Sequence, residues 1–361
     1  FVKNQPFMSF LFGVHMISIL QRIGKWQNSN TNWRLDKIVV FRVDGSLEIG
    51  FGHVVRTISL AQMLRNSFDV HFYILKGNPI AIQIVKEHSL KVTAVTDESD
   101  FVSKVGQGQI AVFDSYHVDE SSLLELKQNN VKLVYIDDLL HPHNHFDIVI
   151  NQTLGIEPAD YPEYKDHQLV LGPEYALLRS SFLEYSRPAI EDTQIKSVFI
   201  CFGGSDPQNF TGKVLDLLSK LKMSLKIVVV VGKAYHHDLV RFQSEGGLGV
   251  LIMRGLAADD MVRVISNSDL LIVSASSILV ESMAISKPII TGYTAENQRS
   301  QYNAWVETEA VMGVEDFKLD ITKEKIQHSQ ASGSFAEMID RQRSLIDLNS
   351  KERLLEVFKN L

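Results

Sequence analysis

The sequence predicts an α/β protein made of two Rossmann-like, doubly wound parallel-sheet units with a ligand cleft between them. Three observations predict it. From Lys37 onward, short apolar runs rich in Val, Ile, Phe and Tyr alternate with segments of helical period, as expected for strands covered by helices on both faces. The alternation stops at a polar, periodless stretch at 184–194 and restarts at Lys196. A chain of 361 residues also exceeds one typical core, so two domains are expected.

In the first half, strands are expected at 37–43, 70–75, 90–95, 109–114, 132–137 and 146–151, with helices at 53–66, 80–88 and 119–128. In the second half, strands at 196–202, 225–231, 250–253, 270–274 and 288–293 alternate with helices at 208–221, 235–244, 259–266 and 278–286. A helical tail with breaks follows from about 297. The expected division is an accessory or disordered extension at 1–36, one domain at 37–185, a linker at 186–195 and a second domain at 196–361.

The extension is largely apolar at 6–20 but contains His15, and this run is shorter than the ~20 residues of a spanning helix. It has neither the basic start nor the small-residue cleavage site of a signal peptide. Association with a membrane is the lesser reading of it.

Composition narrows the function. Hydrophobic residues at 45% and charged residues at 22% are ordinary for a soluble globular chain. A net charge of -7 argues against a nucleic-acid backbone as the main partner. The single cysteine, Cys201, excludes an intrachain disulfide framework and a cysteine metal cluster, and makes the cytoplasm the simplest compartment.

The chemistry is organised around residues 42–56. A buried strand runs into Arg42-Val43-Asp44-Gly45-Ser46, a turn carries Gly50 and Gly52, and a helix begins near His53 with Arg56 one turn on. Free amides at a helix start favour an anion, and the two glycines permit close approach of a ligand. His53 either touches what the turn holds or hydrogen-bonds its own helix. Ligands in such sheets bind beyond the carboxyl ends of the strands. That rule sets this turn, Asp114-Ser115-Tyr116-His117 and Asp137-Asp138 along one edge.

Three stretches of the second half join it. Phe202-Gly203-Gly204-Ser205-Asp206-Pro207 ends a strand in two glycines. Asp206 suits an N-cap and Pro207 the first helical position, while the glycine pair suits a backbone approaching phosphate. Ser274-Ala275-Ser276-Ser277-Ile278-Leu279-Val280-Glu281 offers N–H and O–H donors between a strand and a helix. Glu281 there is placed either to accept from a ribose diol or to interact with its own helix dipole. Asn297-Gln298 opens an amide-rich stretch that suits sugar hydroxyl and acetamido groups, or a solvated helix face. The tract His141-Pro142-His143-Asn144-His145 has no distant matching ligands and is expected to be exposed rather than a metal site. Nucleophile-elbow, zinc-helix and phosphate-loop signatures are absent from the sequence.

Taken together, Arg42-Val43-Asp44-Gly45-Ser46, Ile49-Gly50-Phe51-Gly52-His53 and Arg56 resemble the opening motif of the UDP-2,4-diacetamido-2,4,6-trideoxy-β-L-altropyranose hydrolases of pseudaminic acid biosynthesis. The three second-half stretches resemble that family's later motifs. Asp114-x-Tyr116, Asp137-Asp138 and Gly172-Pro173-x-Tyr175-Ala176-Leu177-Leu178-Arg179 follow in the same order, so the resemblance covers about 37–311. Val43 and Gly45 replace the small and hydroxyl residues often found in the first motif. The second-half motifs are shared with MurG-like glycosyltransferases.

The resemblance implies a GT-B fold and hydrolysis of the UDP-sugar to UDP and free sugar, by water attack with inversion at the anomeric carbon. No cofactor and no metal are implied. His53 would assist the water, with Tyr116 and Asn297 beside the sugar. A histidine's ordinary pKa near ~6.5 suits a base at neutral pH. Arg42, Asp44, Gly50, Gly52, Arg56, Gly203, Gly204, Ser205, Ser274, Ser276, Ser277, Glu281 and Gln298 are the expected substrate contacts. The expected partner is the small-molecule UDP-sugar, met by a monomeric chain. The alternatives are a UDP-sugar glycosyltransferase and a catalytically silent nucleotide-sugar-binding module.

Overall fold

The computed structural model describes residues 37–45, 51–140, 144–163, 167–190, 194–221, 223–244, 249–332 and 335–361. The extension at 1–36, the turn residues 46–50 that include Gly50, and His141 to His143 lie outside the described residues.

The first half forms a seven-stranded sheet from β1 (Ile38–Val43), β2 (Asp69–Leu75), β3 (Lys91–Val95), β4 (Ile110–Asp114), β5 (Lys132–Ile136), β6 (Ile148–Asn151) and β7 (Gln168–Leu171). The order is β3-β2-β1-β4-β5-β6-β7, with parallel pairing throughout. The second half forms a six-stranded sheet from β8 (Ser197–Cys201), β9 (Lys226–Val231), β10 (Gly249–Arg254), β11 (Leu270–Ser274), β12 (Ile289–Gly292) and β13 (Met312–Gly313). Its order is β10-β9-β8-β11-β12-β13, again parallel. Both sheets are doubly wound, so the α/β architecture expected from the alternating runs is present twice.

Continuous apolar strands pack on both faces. In the first sheet Val39, Phe41 and Val43 face one core with Phe72, Val112 and Val134, while Val40, Ala111 and Phe113 face another with Leu133 and Tyr135. Alternate residues thus enter opposite layers. The second sheet repeats this, with Val198 and Ile200 on one side and Phe199 and Cys201 on the other.

Several expectations need correction. β7, the two-residue β13 and the short helix Glu98–Val102 were not expected. These elements are too short to set up a readable period. The helix expected at 235–244 is confined to Val240–Ser244, because the Asp238 carboxylate accepts from Val240 N and starts it there.

The domain limits drawn from the sequence are crossed at both ends. Ala176, Leu178 and Phe182, assigned to the first domain, are buried in the second half's core with Phe199 and Leu271. Leu354, Val357 and Phe358, assigned to the second, are buried in the first core beside Phe68 and Met63. The helix Ser350–Lys359 therefore returns to cover the first unit. Its apolar positions are spaced for one face, and that spacing does not say which unit receives it.

Candidate active site

A polar cluster lies where the first sheet's strand order reverses. β1 has β2 on one side and β4 on the other, with Val43 level with Asp114. Loops leaving adjacent strands in opposite directions open a crevice there. The helix Gly52–Leu64 begins in this crevice, with Phe51 at its cap position and no side-chain cap.

His53 stands in the first turn of that helix and is buried. Its ring does not bend back onto the helix. Nδ1 lies 2.5 Å from Asp114 Oδ1, at the end of β4. An ionised carboxylate only accepts, so Nδ1 carries the proton and, in the neutral ring, Nε2 presents its lone pair.

Arg56, one turn on, donates through Nε to Asp114 Oδ2 at 2.6 Å and through Nη2 to Oδ1 at 2.5 Å. Its Nη1 reaches Asp138 Oδ2 at 2.6 Å. Nη2 also lies 3.0 Å from His53 Nδ1. These are two donors converging on one oxygen, because a lone pair on Nδ1 would be repelled by the carboxylate it touches. Burial alone would raise the Asp114 pKa, but the Arg56 guanidinium, with the hydrogen bonds from Arg56 and His53, holds it below the usual carboxylate range. Burial would likewise lower Arg56, and Asp114 and Asp138 together push it up instead.

Tyr116 stands edge-on to the His53 ring, 4.6 Å between centroids and 87° between planes. Its hydroxyl is 3.5 Å from Asp138 Oδ2. Burial, reinforced by the nearby Asp138 charge, pushes the phenol up to about 12. At neutral pH Tyr116 is a donor and not a base.

Arg42 and Arg56, expected to contact substrate, have their guanidinium groups turned to protein carboxylates. Arg42 is buried, with Nε on Glu98 at 2.8 Å, Nη1 on Asp44 at 2.7 Å and on the Val43 carbonyl at 3.1 Å, and Nη2 on Glu98 at 2.5 Å. Asp44 also accepts from the Ser115 hydroxyl. Arg42 ties the end of β1 to the helix Glu98–Val102, and Arg56 ties the helix after β1 to the loop ends of β4 and β5, as a buried cation must be paired. Gly45 has a packing reason: a Cβ there would come 2.5 Å from Val54 Cγ2. Gly52 is exposed at the helix start.

In the second half, the loops after β8 and β11 meet at the corresponding reversal, since β8 lies between β9 and β11. Gly203 has φ +86°, open to glycine and strained for other residues. The helix begins at Phe210, later than expected, with Asn209 at its cap. Asp206 accepts from Phe210 N and Thr211 N at 2.8 Å each, and Asn209 Oδ1 from Gly212 N at 3.0 Å. The first amides of this helix are thus satisfied internally. What remains for an anion is the turn itself, Gly203, Gly204 and Ser205, of which Gly204 and Ser205 are exposed.

The other helix start differs. Ser276 occupies the cap position of Ser277–Ile285 without a side-chain cap bond, and its hydroxyl is 3.0 Å from that of Ser274. Ser277 is exposed. Glu281, one turn on, is buried and forms a two-pronged ion pair with Arg179. Asn297 is exposed in the short turn Glu296–Gln298. The Gln298 side-chain oxygen Oε1 accepts from Thr294 N at 2.9 Å and from the Thr294 hydroxyl at 3.1 Å.

The structure thus brings His53, Tyr116, Arg56, Asp44 and Arg42 together at one reversal, and Gly203 to Ser205 with Ser274 to Ser277 at the other. Asp114, Asp138, Arg179 and Gly232 were not among the expected site residues. A carboxylate closing an apolar strand was the available signal for Asp114. A Cβ on Gly232, just after β9, would lie 2.1 Å from the Gly204 carbonyl oxygen, a contact that sequence spacing does not reveal. Of the histidine tract at 141–145, expected to be exposed rather than a metal site, His145 is paired with Glu120 at 2.9 Å. Among the described residues, no cluster of three or more His, Cys, Asp or Glu side chains is placed to hold a metal ion. No helix among them is long and apolar enough to cross a membrane.

No protein-family model matches the chain. It is 28% identical over 283 residues to an uncharacterised protein of Methanocaldococcus jannaschii, covering 73% of this chain and 57% of that protein. The chain thus spans little more than half the length of this relative. It is 27% identical over 270 residues to a UDP-2,4-diacetamido-2,4,6-trideoxy-β-L-altropyranose hydrolase of Campylobacter jejuni, covering 73% of this chain and 93% of that protein. The resemblance drawn from the motifs therefore extends over 73% of the chain. Among solved structures, MurG of Acinetobacter baumannii superposes with a TM-score of 0.66 at 11% identity, over 90% of this chain and 100% of that one. The fold is accordingly GT-B-like, with two Rossmann-like domains.

Proposed function

We propose that the protein hydrolyses a UDP-linked 2,4-diacetamido-2,4,6-trideoxyhexose, the β-L-altropyranose by resemblance, to UDP and the free sugar in pseudaminic acid biosynthesis. The observation that carries this reading is the 2.5 Å contact between His53 Nδ1 and Asp114 at the first sheet's reversal. It fixes the ring so that Nε2 is the acceptor, as a base acting on water requires.

In this mechanism the water oxygen bonds to the anomeric carbon while the bond from that carbon to the β-phosphate oxygen breaks. The water proton passes to His53 Nε2 and the electron pair leaves with UDP. Asp114 steadies the imidazolium that forms, as Arg56 steadies Asp114. Tyr116 walls the ring and offers a hydroxyl to the sugar, and Asn297 approaches it from the other half. Gly203 to Ser205 and the uncapped start at Ser274 to Ser277 receive the diphosphate, whose charge grows as the bond breaks. Glu281 receives the ribose. No metal is needed for these steps.

Incubation with the UDP-sugar alone tests the proposal, with UDP release followed by chromatography and the sugar anomer by NMR. UDP and free sugar of inverted configuration are expected, at a rate unchanged by EDTA. Turnover only after addition of an acceptor sugar would replace hydrolysis by transfer. Tight UDP-sugar binding with no turnover under either condition would leave a binding module.

A further inference from the structure

Glu281, which receives the ribose in the reading above, is paired with Arg179, a residue that takes no part in those steps. Arg179 Nε meets Glu281 Oε1 at 2.6 Å, and Nη2 meets Oε2 at 2.8 Å. The guanidinium also lies 5.1 Å from the Phe182 ring centroid. Phe182 is fully buried in the second half's core with Ala176 and Leu178. Arg179 is therefore mounted on a rigid segment, 102 residues before its partner.

Glu281 sits in the helix that follows the Ser274 to Ser277 turn. An ionised carboxylate has two acceptor sites on each oxygen. The fork of Arg179 takes one site on each and leaves one. The Glu281 side chain retains 11% exposure, so an edge stays open to a ligand.

We propose that Arg179 is a positioning residue for nucleotide recognition, clamping the Glu281 carboxylate so that its remaining acceptor sites meet the ribose hydroxyls. This rests on the assignment of the Ser274 to Glu281 stretch to the nucleotide. A side chain of Glu's length loses considerable rotamer freedom on ordering, and the planar two-pronged guanidinium removes that freedom before the ligand arrives. Lysine replaces it only in part, because a single ammonium does not bridge both oxygens in a fixed plane.

Calorimetric titration of UDP and 2′-deoxy-UDP into the wild type, Arg179→Gln and Arg179→Lys tests this, with circular dichroism as a check of folding. The wild type should prefer UDP by about tenfold or more, the worth of one hydrogen bond to a charged acceptor. Arg179→Gln should bring the ratio close to one with little change in affinity for 2′-deoxy-UDP, and Arg179→Lys should fall between. Should the glutamine variant fail to fold, the lysine variant carries the test through the same ratio. A full preference retained in the folded variants overturns the positioning role and leaves the ribose assignment standing. Tighter UDP binding by the variants also overturns it, since Arg179 would then compete with the ribose. A wild type that binds both nucleotides equally removes the ribose assignment, and this role with it.

Discussion

His53 and Asp114, 61 residues apart in the chain, share a 2.5 Å hydrogen bond where β1 and β4 lie side by side. The carboxylate orients the imidazole, and Arg56 holds the carboxylate through two of its own donors. In the proposed mechanism this makes a residue at a helix start the proton acceptor.

His53→Ala should lower hydrolysis by about 10²- to 10⁴-fold, the usual contribution of a positioned general base. UDP affinity should stay nearly unchanged, since the proposed diphosphate contacts lie in the other half. Initial rates under saturating substrate and a UDP titration read the two effects separately. A variant as fast as the wild type would eliminate His53 as the base.

Asp114→Asn should lower the rate by at least about 10²-fold, because an amide does not hold Nδ1–H as a carboxylate does. It should also destabilise the fold by about 3–5 kcal/mol, as Arg56 loses a buried counter-charge. The folded-state pKa of Asp114 is depressed. Its stabilising contribution is therefore complete above the unfolded carboxylate value of about 3.9 and is lost as pH falls through the folded value. Melting temperatures measured downward from about pH 4 should fall less steeply in the asparagine variant than in the wild type.

Gly232→Ala should weaken UDP binding, because the added Cβ meets the Gly204 carbonyl oxygen at 2.1 Å and must displace the Gly203 to Ser205 turn. Overpacking of this kind costs about 1–3 kcal/mol in stability. The maximal rate of UDP-sugar hydrolysis should change far less than the nucleotide affinity. Calorimetry and steady-state kinetics on the same preparation distinguish these outcomes. Equal UDP affinity in both proteins would separate the turn from nucleotide binding.

Phe358→Ala should destabilise the protein by about 3–5 kcal/mol, the cost of removing a large buried ring. Phe358 is fully buried in the first core, with its ring centroid 6.3 Å from that of Phe68. The test is thermal unfolding with and without UDP. Wild-type stability in the variant would mean that the last helix contributes little to the first unit.

Periodicity determined much by itself. Continuous apolar runs such as those of β1, β4, β8 and β11 suit strands buried on both faces, and their alternation with helices pointed to covered parallel sheets and placed the loops of interest at strand carboxyl ends. His53, Tyr116 and the Gly203 and Ser274 turns were legible for that reason, being local patterns of a few residues. The tertiary structure alone decided the partners. Strand order made Asp114 the neighbour of His53, turned Arg42 and Arg56 toward carboxylates, and paired Glu281 with Arg179. It also returned the last helix to the first core. Spacing along a chain fixes which face a side chain occupies, whereas ion pairs and close backbone approaches join residues that only the topology brings together.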